Sequence, residues 1–434
     1  MREKGGVRWG LIGAILLTVP QTAFSDELSE LKAQVEQLRN ANTTLQEQLN
    51  RQRETTERVL GKIESLERHD TLLAQEVKGL TGKPEALPLE GTAERSLLNV
   101  PKLTMRGFAD FVYTVSRFEH ETANTFSTGW KGEEVDLLLT SALTDRVSFL
   151  LEPNFSMNTE NSPTFKIQRT VLKYDLSDLL KIKVGREHMA LGYWNQVYHH
   201  GAWLQTTIFR PEIYRLEAQD GFLPVHAVGL NLLGSIPVGD AFDLDYDVGV
   251  YNGRGRAFNE VPERVDKNRA KAVNVLLSVK PYVLEGLRMG FDIYHDTIPS
   301  NPPTARRTKS IDELILGGHA VYLHDGLELL AELFQIRHND KSTGLQFHTL
   351  GWYAQGSYKI NTWTPYYRFD LIDVADADPF WTSRHRDLNK HTLGVRWDLL
   401  PWNAWKLEYS FNDEKGRTEG DEEHMLTANS SIVF

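Results

Sequence analysis

Between His188 and Pro224 the chain reads HMALGYWNQVYHHGAWLQTTIFRPEIYRLEAQDGFLP, a dense collection of side chains able to do chemistry. His199 and His200 are metal-ligand types. Adjacent residues of an extended segment point opposite ways, however, so both on one ion is awkward and no metal site or cofactor is expected. Tyr193, Trp194, Tyr198, Trp203, Phe209 and Tyr214 could form a stacking track for sugars. Arg210 and Arg215, beside Glu212 and Asp220, suit organic acids equally well. Nucleophilic catalysis needs a Ser/His/acid constellation, and no histidine falls near a plausible nucleophilic serine. The chain is therefore not expected to be an enzyme, with a hydrolase kept as a minor alternative.

A second set of chemical groups recurs at alternate positions. It includes Arg106 and Asp110, then Arg169, Lys173 and Lys183, then the acidic column Asp243, Asp245, Asp247, and finally Arg368 with Asp370 and Arg396 with Asp398. Glu152, Arg288, Asp292, Glu332, Lys406 and Glu408 fall in the same register. Alternate residues share one face of a strand. The interleaved residues are apolar: Val228, Leu230, Leu232; Val273, Val275, Leu277, Val279; Pro365, Tyr367, Phe369, Leu371; Leu393, Val395, Trp397, Leu399.

Such segments follow one another from Lys102 to the terminal Phe434, with no amphipathic helices to cover their apolar side. In a soluble fold that side needs a second layer. In a bilayer the acyl chains cover it, provided the sheet closes. The expected fold is all-β: a transmembrane antiparallel β-barrel of about sixteen strands. Short-hairpin residues at Asp145, Leu176–Asp178, Pro237–Asp240, Pro281–Gly286, Asp325-Gly326, Asn361–Thr362 and Pro401–Asn403 alternate with longer polar connections. Tyr174, Tyr322, Tyr358, Trp363, Trp402 and Trp405 cluster near strand ends, as an interfacial girdle would. Residues 188–224 are too long for an ordinary loop. A loop in solvent has no use for six aromatics, so this segment is expected to fold inward as a constriction.

The charged positions then line the lumen. They are expected either to pair across the wall, as Arg368 with Asp398, or to set up a transverse field. That field would run from a basic strip on the first, thirteenth and fourteenth strands to Glu212 and Asp220 on the constriction.

The remaining organisation follows from the amino-terminal hundred residues. Arg2, Lys4 and Arg8 precede the apolar stretch Leu11–Val19 and the small residues Ala23-Phe24-Ser25, so residues 1–25 read as a signal peptide. The apolar stretch is well short of the twenty or so residues a spanning helix needs. From Leu28 a seven-residue beat sets Leu28, Val35, Asn42, Leu49, Thr56 and Ile63 against Leu31, Leu38, Leu45, Gln52, Val59 and Leu66. Residues 26–78 are expected to form an α-helical coiled coil in the periplasm, and hence an oligomer. The polar Asn42 fixes register. Gly79, Gly82, Pro84, Pro88, Gly91 and Pro101 make residues 79–101 a linker, and 102–434 is the barrel.

A mean hydropathy of −0.40 and 25% charged residues resemble a soluble protein, but a barrel with a wet lumen has a low average too. The net charge of −11 argues against a nucleic-acid partner. The absence of cysteine rules out disulfides.

In alternation, inward third long connection and terminal Phe434, the chain resembles the sixteen-stranded trimeric porins. With its stalk it is most similar to the sucrose and dicarboxylate porins and the phosphate-selective porin O/P group. The dense arginine ladder of the phosphate porins is not evident, so phosphate selectivity does not transfer. The resemblance implies an outer-membrane homotrimer passing small hydrophilic solutes, anionic or dipolar, with Phe434 as the signal read by the outer-membrane assembly machinery. The rival reading is a tether or adhesin-like anchor whose coiled coil binds peptidoglycan or a periplasmic partner.

Overall fold

The computed structural model describes residues 36, 46, 102–120, 123–157, 162–199, 201–301, 309–382, 385–415 and 420–434. The chain divides into two compact units, Met1–Arg95 and Ser96–Phe434. The signal segment, the heptad positions Leu31, Leu38, Asn42, Leu45, Leu49, Ile63 and Leu66, and the linker all lie outside the described residues.

The second unit is a closed antiparallel barrel of sixteen strands. In chain order they are β1 Leu103–His120, β2 Ala123–Ala142, β3 Val147–Met157, β4 Pro163–Asp175, β5 Lys181–His188, β6 His226–Val238, β7 Phe242–Tyr251 and β8 Ala272–Pro281. Then come β9 Leu287–Ile298, β10 Ile311–His324, β11 Leu327–Asp340, β12 Gln346–Tyr358, β13 Trp363–Asp373, β14 Asp387–Leu400, β15 Asn403–Lys415 and β16 Gly420–Val433. Each strand pairs with its sequence neighbours, and β1 pairs with β16, so no edge is left open. At that seam Gly107 N–H donates to Phe434 O at 2.7 Å and Phe434 N–H to Gly107 O at 2.9 Å.

Alternation sets the facing. Along β13, Thr364, Tyr366, Arg368 and Asp370 are buried, while Pro365 and Tyr367 are exposed. On β15, Lys406, Glu408 and Ser410 are buried between the exposed Trp405, Leu407 and Tyr409. Leu393, at the middle of β14, is 61% exposed on the outer face. A lysine there would face hydrocarbon in a bilayer, at a cost of about 2–4 kcal/mol near the midplane.

All seven short connections fall where turn chemistry places them. Asp325 and Gly326 both take positive φ (48° and 79°), the two-residue turn that matches strand twist. Tyr174, Tyr358, Trp363, Trp402 and Trp405 are exposed at this rim, and Trp363 stacks on its cross-strand partner Trp397 at 5.1 Å. The opposite connections are unequal rather than uniformly long. β2 begins at Ala123 just after β1 ends at His120, whereas residues 189–225 separate β5 from β6.

One strand breaks its own alternation. On β4, Phe165 and Ile167 are exposed at odd positions, but Leu172 and Tyr174 face outward at even ones. The register shifts between Glu152/Pro153 on β3 and their partners Arg169/Ile167, a bulge that absorbs the change. It lets Gln168 and Arg169 both turn inward.

Candidate functional site: the lumen and its inserted segment

Residues 189–225 leave the wall at the end of β5 and return to it at β6. They form a one-turn helix, α1 (Trp194–Val197), and two 3-10 turns, Glu212–Tyr214 and Glu217–Gln219. Such irregular backbone has no ladder partner, and buried N–H and C=O groups must find one elsewhere. The inward charges of the wall supply it.

Acids accept the amides. Asp292 on β9 accepts Gly192 N–H (2.9 Å), and Glu332 on β11 accepts those of Tyr193 (2.7 Å) and Trp194 (2.8 Å). Asp370 accepts Glu212 N–H and Glu408 accepts Ile208 N–H, both at 2.9 Å. Bases donate to the carbonyls. Arg368 reaches Phe209 O (2.8 Å) and Arg210 O (3.1 Å), and Arg396 reaches Trp203 O (2.7 Å) and Gln205 O (2.9 Å). Lys406 reaches Gln205 O (2.7 Å) and Thr207 O (2.8 Å). Hydrogen bonds to charged groups are each worth about 1.5–3 kcal/mol.

Apolar packing completes the dock. Leu191, Trp194, Ile213, Tyr214 and Leu223 join Tyr294, Ile315, Phe334 and Tyr353 of the wall in one buried cluster.

The expected constriction residues are thereby placed. Trp194 and Tyr214 are 1% and 0% exposed and serve as packing groups, as does the buried Tyr193, while Tyr198, Trp203 and Phe209 are half-buried. Arg210 lies over the Trp194 ring at 5.3 Å, and Arg396 over Trp203 at 5.7 Å. His200 lies outside the described residues.

Glu212 is an ion-pair hub, contacted by Arg215 and, at 2.7 Å, by Lys390 of β14. Burial alone would raise its carboxyl, but Arg215, Lys390 and Arg368 outweigh burial and hold it down at about 2. Glu217 is governed the same way. Burial raises it, and the charge and hydrogen bonds of His226 bring it to about 2.

The expected lumen charges divide into two groups. Arg368 (0% exposed) and Asp370 (1%) face inward but lie beneath the inserted segment, where solute does not reach them. Arg368 pairs with Asp370 at 2.8 Å on its own strand rather than with Asp398. Asp398 is held by Arg396 and Lys359, each at 2.7 Å. The thirteenth- and fourteenth-strand part of the expected strip thus bonds the segment's own backbone and Glu212. The acidic column is likewise occupied. Asp243 accepts Tyr282 O–H (2.6 Å), Asp245 pairs with Lys280 (2.9 Å) and Arg288 (3.1 Å), and Asp247 accepts Asn231 (2.7 Å).

Open space lies along the other wall, β1 to β6. A cavity of about 750 Å³ is lined by Arg169, Lys173, Lys183 and Glu187 among others. One of about 320 Å³ is lined by Asp110, Glu134, Asp136 and Arg210, and one of about 550 Å³ by Lys166, Arg186 and Glu217 with residues between β7 and β8 that include Glu260, Glu263, Arg264 and Lys267. Lys173 pairs with Asp175 (2.8 Å), Lys183 with Glu187 (3.1 Å), and Arg169 with the fully buried Glu152. Arg106 is exposed on β1, in the inward register of Thr104.

Residues missed from the sequence are Glu217, Asn195, Lys390 and the histidines flanking the insertion, His188 and His226. The last two are register partners across β5 and β6. Their position at both ends of the insertion was the signal available.

A scan against protein-family models finds no match, and no curated protein matches the chain. Solved structures do. The anion-selective porin from Comamonas acidovorans superposes with a TM-score of 0.54 at 12% identity, over 77% of this chain and all of that one. The outer membrane channel DcaP of Acinetobacter baumannii superposes with a TM-score of 0.55 at 10% identity, over 77% and 97%. The fold is that of the sixteen-stranded porins.

Proposed function

We propose that this chain is an outer-membrane porin, a passive channel for small hydrophilic solutes that are anionic or dipolar. One observation carries the reading. A closed barrel, apolar outside, keeps open space along β1–β6, where Lys102, Arg169, Lys173 and Lys183 line a cavity of about 750 Å³ together with Glu187. Charges lining a narrow low-dielectric passage bias which solutes enter. Arg106 and Asp110 sit on the same wall and belong to the selectivity set. The constriction is the inserted segment, and Arg368, Asp370, Arg396 and Asp398 act by holding it.

The heptads of residues 26–78 support an oligomer with a periplasmic stalk, the porin resemblance makes that oligomer a homotrimer, and peptidoglycan is the partner such a stalk would reach. Phe434 at the seam suits a role in assembly.

The test is planar-bilayer recording of the full-length mature protein across a KCl gradient. An anion-leaning reversal potential is expected, reduced in Lys173→Gln/Lys183→Gln. A cation preference would sink the solute assignment, and no channels at all would sink the transport reading. Block by a panel of sugars, dicarboxylates and phosphate would then name the solute class.

A further inference from the structure

Three histidines from separate parts of the chain meet at the neck of the inserted segment. His188 ends β5, His226 begins β6, and His199 follows α1. His199 stacks on His188 with ring centroids 3.9 Å apart and planes at 21°. His226 stands edge-on to both, at 5.6 Å from His188 and 4.8 Å from His199. One ring nitrogen from each lies within 4.8 Å of the others, and all three side chains are buried.

Their neighbours fix which nitrogens face inward. Asn195 donates its amide N–H groups to Met189 O and Val225 O, both at 2.9 Å, which leaves its Oδ1 as acceptor toward His199 Nδ1. Nδ1 of His199 therefore carries the proton, and Nε2 carries the lone pair. Glu217 does the same for His226. Its Oε2 accepts from Nδ1 at 3.0 Å, while its Oε1 accepts the His226 backbone N–H at 2.9 Å. A carboxylate or amide oxygen holding the far nitrogen of an imidazole is the support that metal-ligating histidines receive. Glu152, already paired with Arg169, has the same Oε2 4.0 Å from His188 Nε2 at the third ring.

We propose that His188, His199 and His226 bind one divalent transition cation of the Zn²⁺, Co²⁺, Ni²⁺ or Cu²⁺ class. Three imidazoles suit these ions and leave a further coordination position for water or for a carboxylate or phosphate oxygen. Bonds of 2.0–2.1 Å in a tetrahedron put ligand nitrogens about 3.3 Å apart. Binding therefore requires His188 and His199 to turn out of their stack about their side-chain torsions, until both ring planes contain the ion.

The location gives the ion a consequence. His226 lines the cavity of about 550 Å³, His199 that of about 320 Å³ and His188 that of about 750 Å³. An ion on all three borders each of these spaces through one of its ligands, and it ties the inserted segment to the barrel wall. This second consequence rests on the channel reading, whereas the binding itself does not.

The experiment uses full-length mature protein in detergent, without a histidine tag and stripped with a chelator. Titration with Co²⁺ should give one ion per chain with the visible absorption of a nitrogen-rich low-coordinate site, displaced by Zn²⁺. His199→Gln and His226→Gln should each weaken binding more than about tenfold. Wild-type protein that takes up no Co²⁺ or Zn²⁺ would overturn the site whether or not the variants fold. Undiminished binding in both folded variants would overturn it as well. In bilayers, Zn²⁺ should lower wild-type conductance and leave that of His226→Gln unchanged. Binding without any effect on an open channel would overturn the placement in the path. Binding by protein that forms no channels would sustain the site and remove the transport reading instead.

Discussion

The carboxylate of Glu332, on β11, accepts the Trp194 amide at 2.8 Å and so fastens the first turn of α1 to the barrel wall. The same carboxylate takes Tyr193 N–H, Tyr214 O–H and Tyr353 O–H, each at 2.7 Å. Four donors converge on one buried acceptor. In Glu332→Gln, an amide NH₂ would confront two of those donors, stranding buried polar groups at a cost on the order of 3 kcal/mol. The inserted segment should become protease-sensitive and single-channel noise should rise. A variant as quiet and resistant as wild type would show that the apolar packing of Trp194 and Tyr214 is sufficient without this carboxylate.

Arg396 and Lys183 both face inward, yet neutralising them should have different effects. Arg396→Gln removes donors from Trp203 O and Gln205 O, so it should loosen the segment and enlarge or destabilise the conductance with little change in ion preference. Lys183 lines open space, so its loss should shift the reversal potential with the segment still docked. Equal shifts in the two variants would return Arg368 and Arg396 to the selectivity set.

The barrel was legible in the sequence because hydrocarbon demands a continuous apolar face. Pairs such as Leu407 and Tyr409 around Glu408 announce their facing without any partner being known. Turn residues such as Asp325-Gly326 marked the short rim for equally local reasons. The β4 bulge was hidden because its parity change falls on Gln168 and Arg169, where polar residues carry no alternation signal. That residues 188–224 fold inward could be read from their aromatics. How they are held could not, since every anchor, from Asp292 to Lys406, is a long-range contact between irregular backbone and a wall charge. The histidine cluster was masked for the same reason. His199 is adjacent in sequence to His200, whereas the spatial partners of His199, His188 and His226, are distant in sequence.

At the barrel seam, the Phe434 ring lies over Gly107. A Cβ on Gly107 would sit 2.5 Å from the Phe434 Cζ. Gly107→Ala should therefore displace the ring while both backbone bonds to Phe434 persist. Deleting Phe434 removes the ring and those bonds together. Heat-modifiable mobility of the folded barrel should fall modestly in the first variant and much further in the second. The reverse order would mean that the ring position, and not the backbone pairing, closes the seam.

Acid should undock the inserted segment, and the window follows from Glu212. Its carboxyl sits at about 2 when docked against an ordinary 4.5, because Arg215, Lys390 and Arg368 outweigh the burial that would raise it. A carboxylate lowered on docking contributes its full stabilisation above the undocked value and loses it as the pH falls through the docked one. Conductance and tryptophan fluorescence should therefore hold steady from neutrality to about pH 4.5 and change progressively toward pH 2. Lys390→Gln removes the 2.7 Å partner of Glu212. Without it Glu212 contributes less to docking at neutral pH, so a smaller acid-linked loss suffices to undock the segment and the acid transition moves toward neutral pH. An onset identical to wild type would mean that Arg215 and Arg368 alone keep Glu212 ionised.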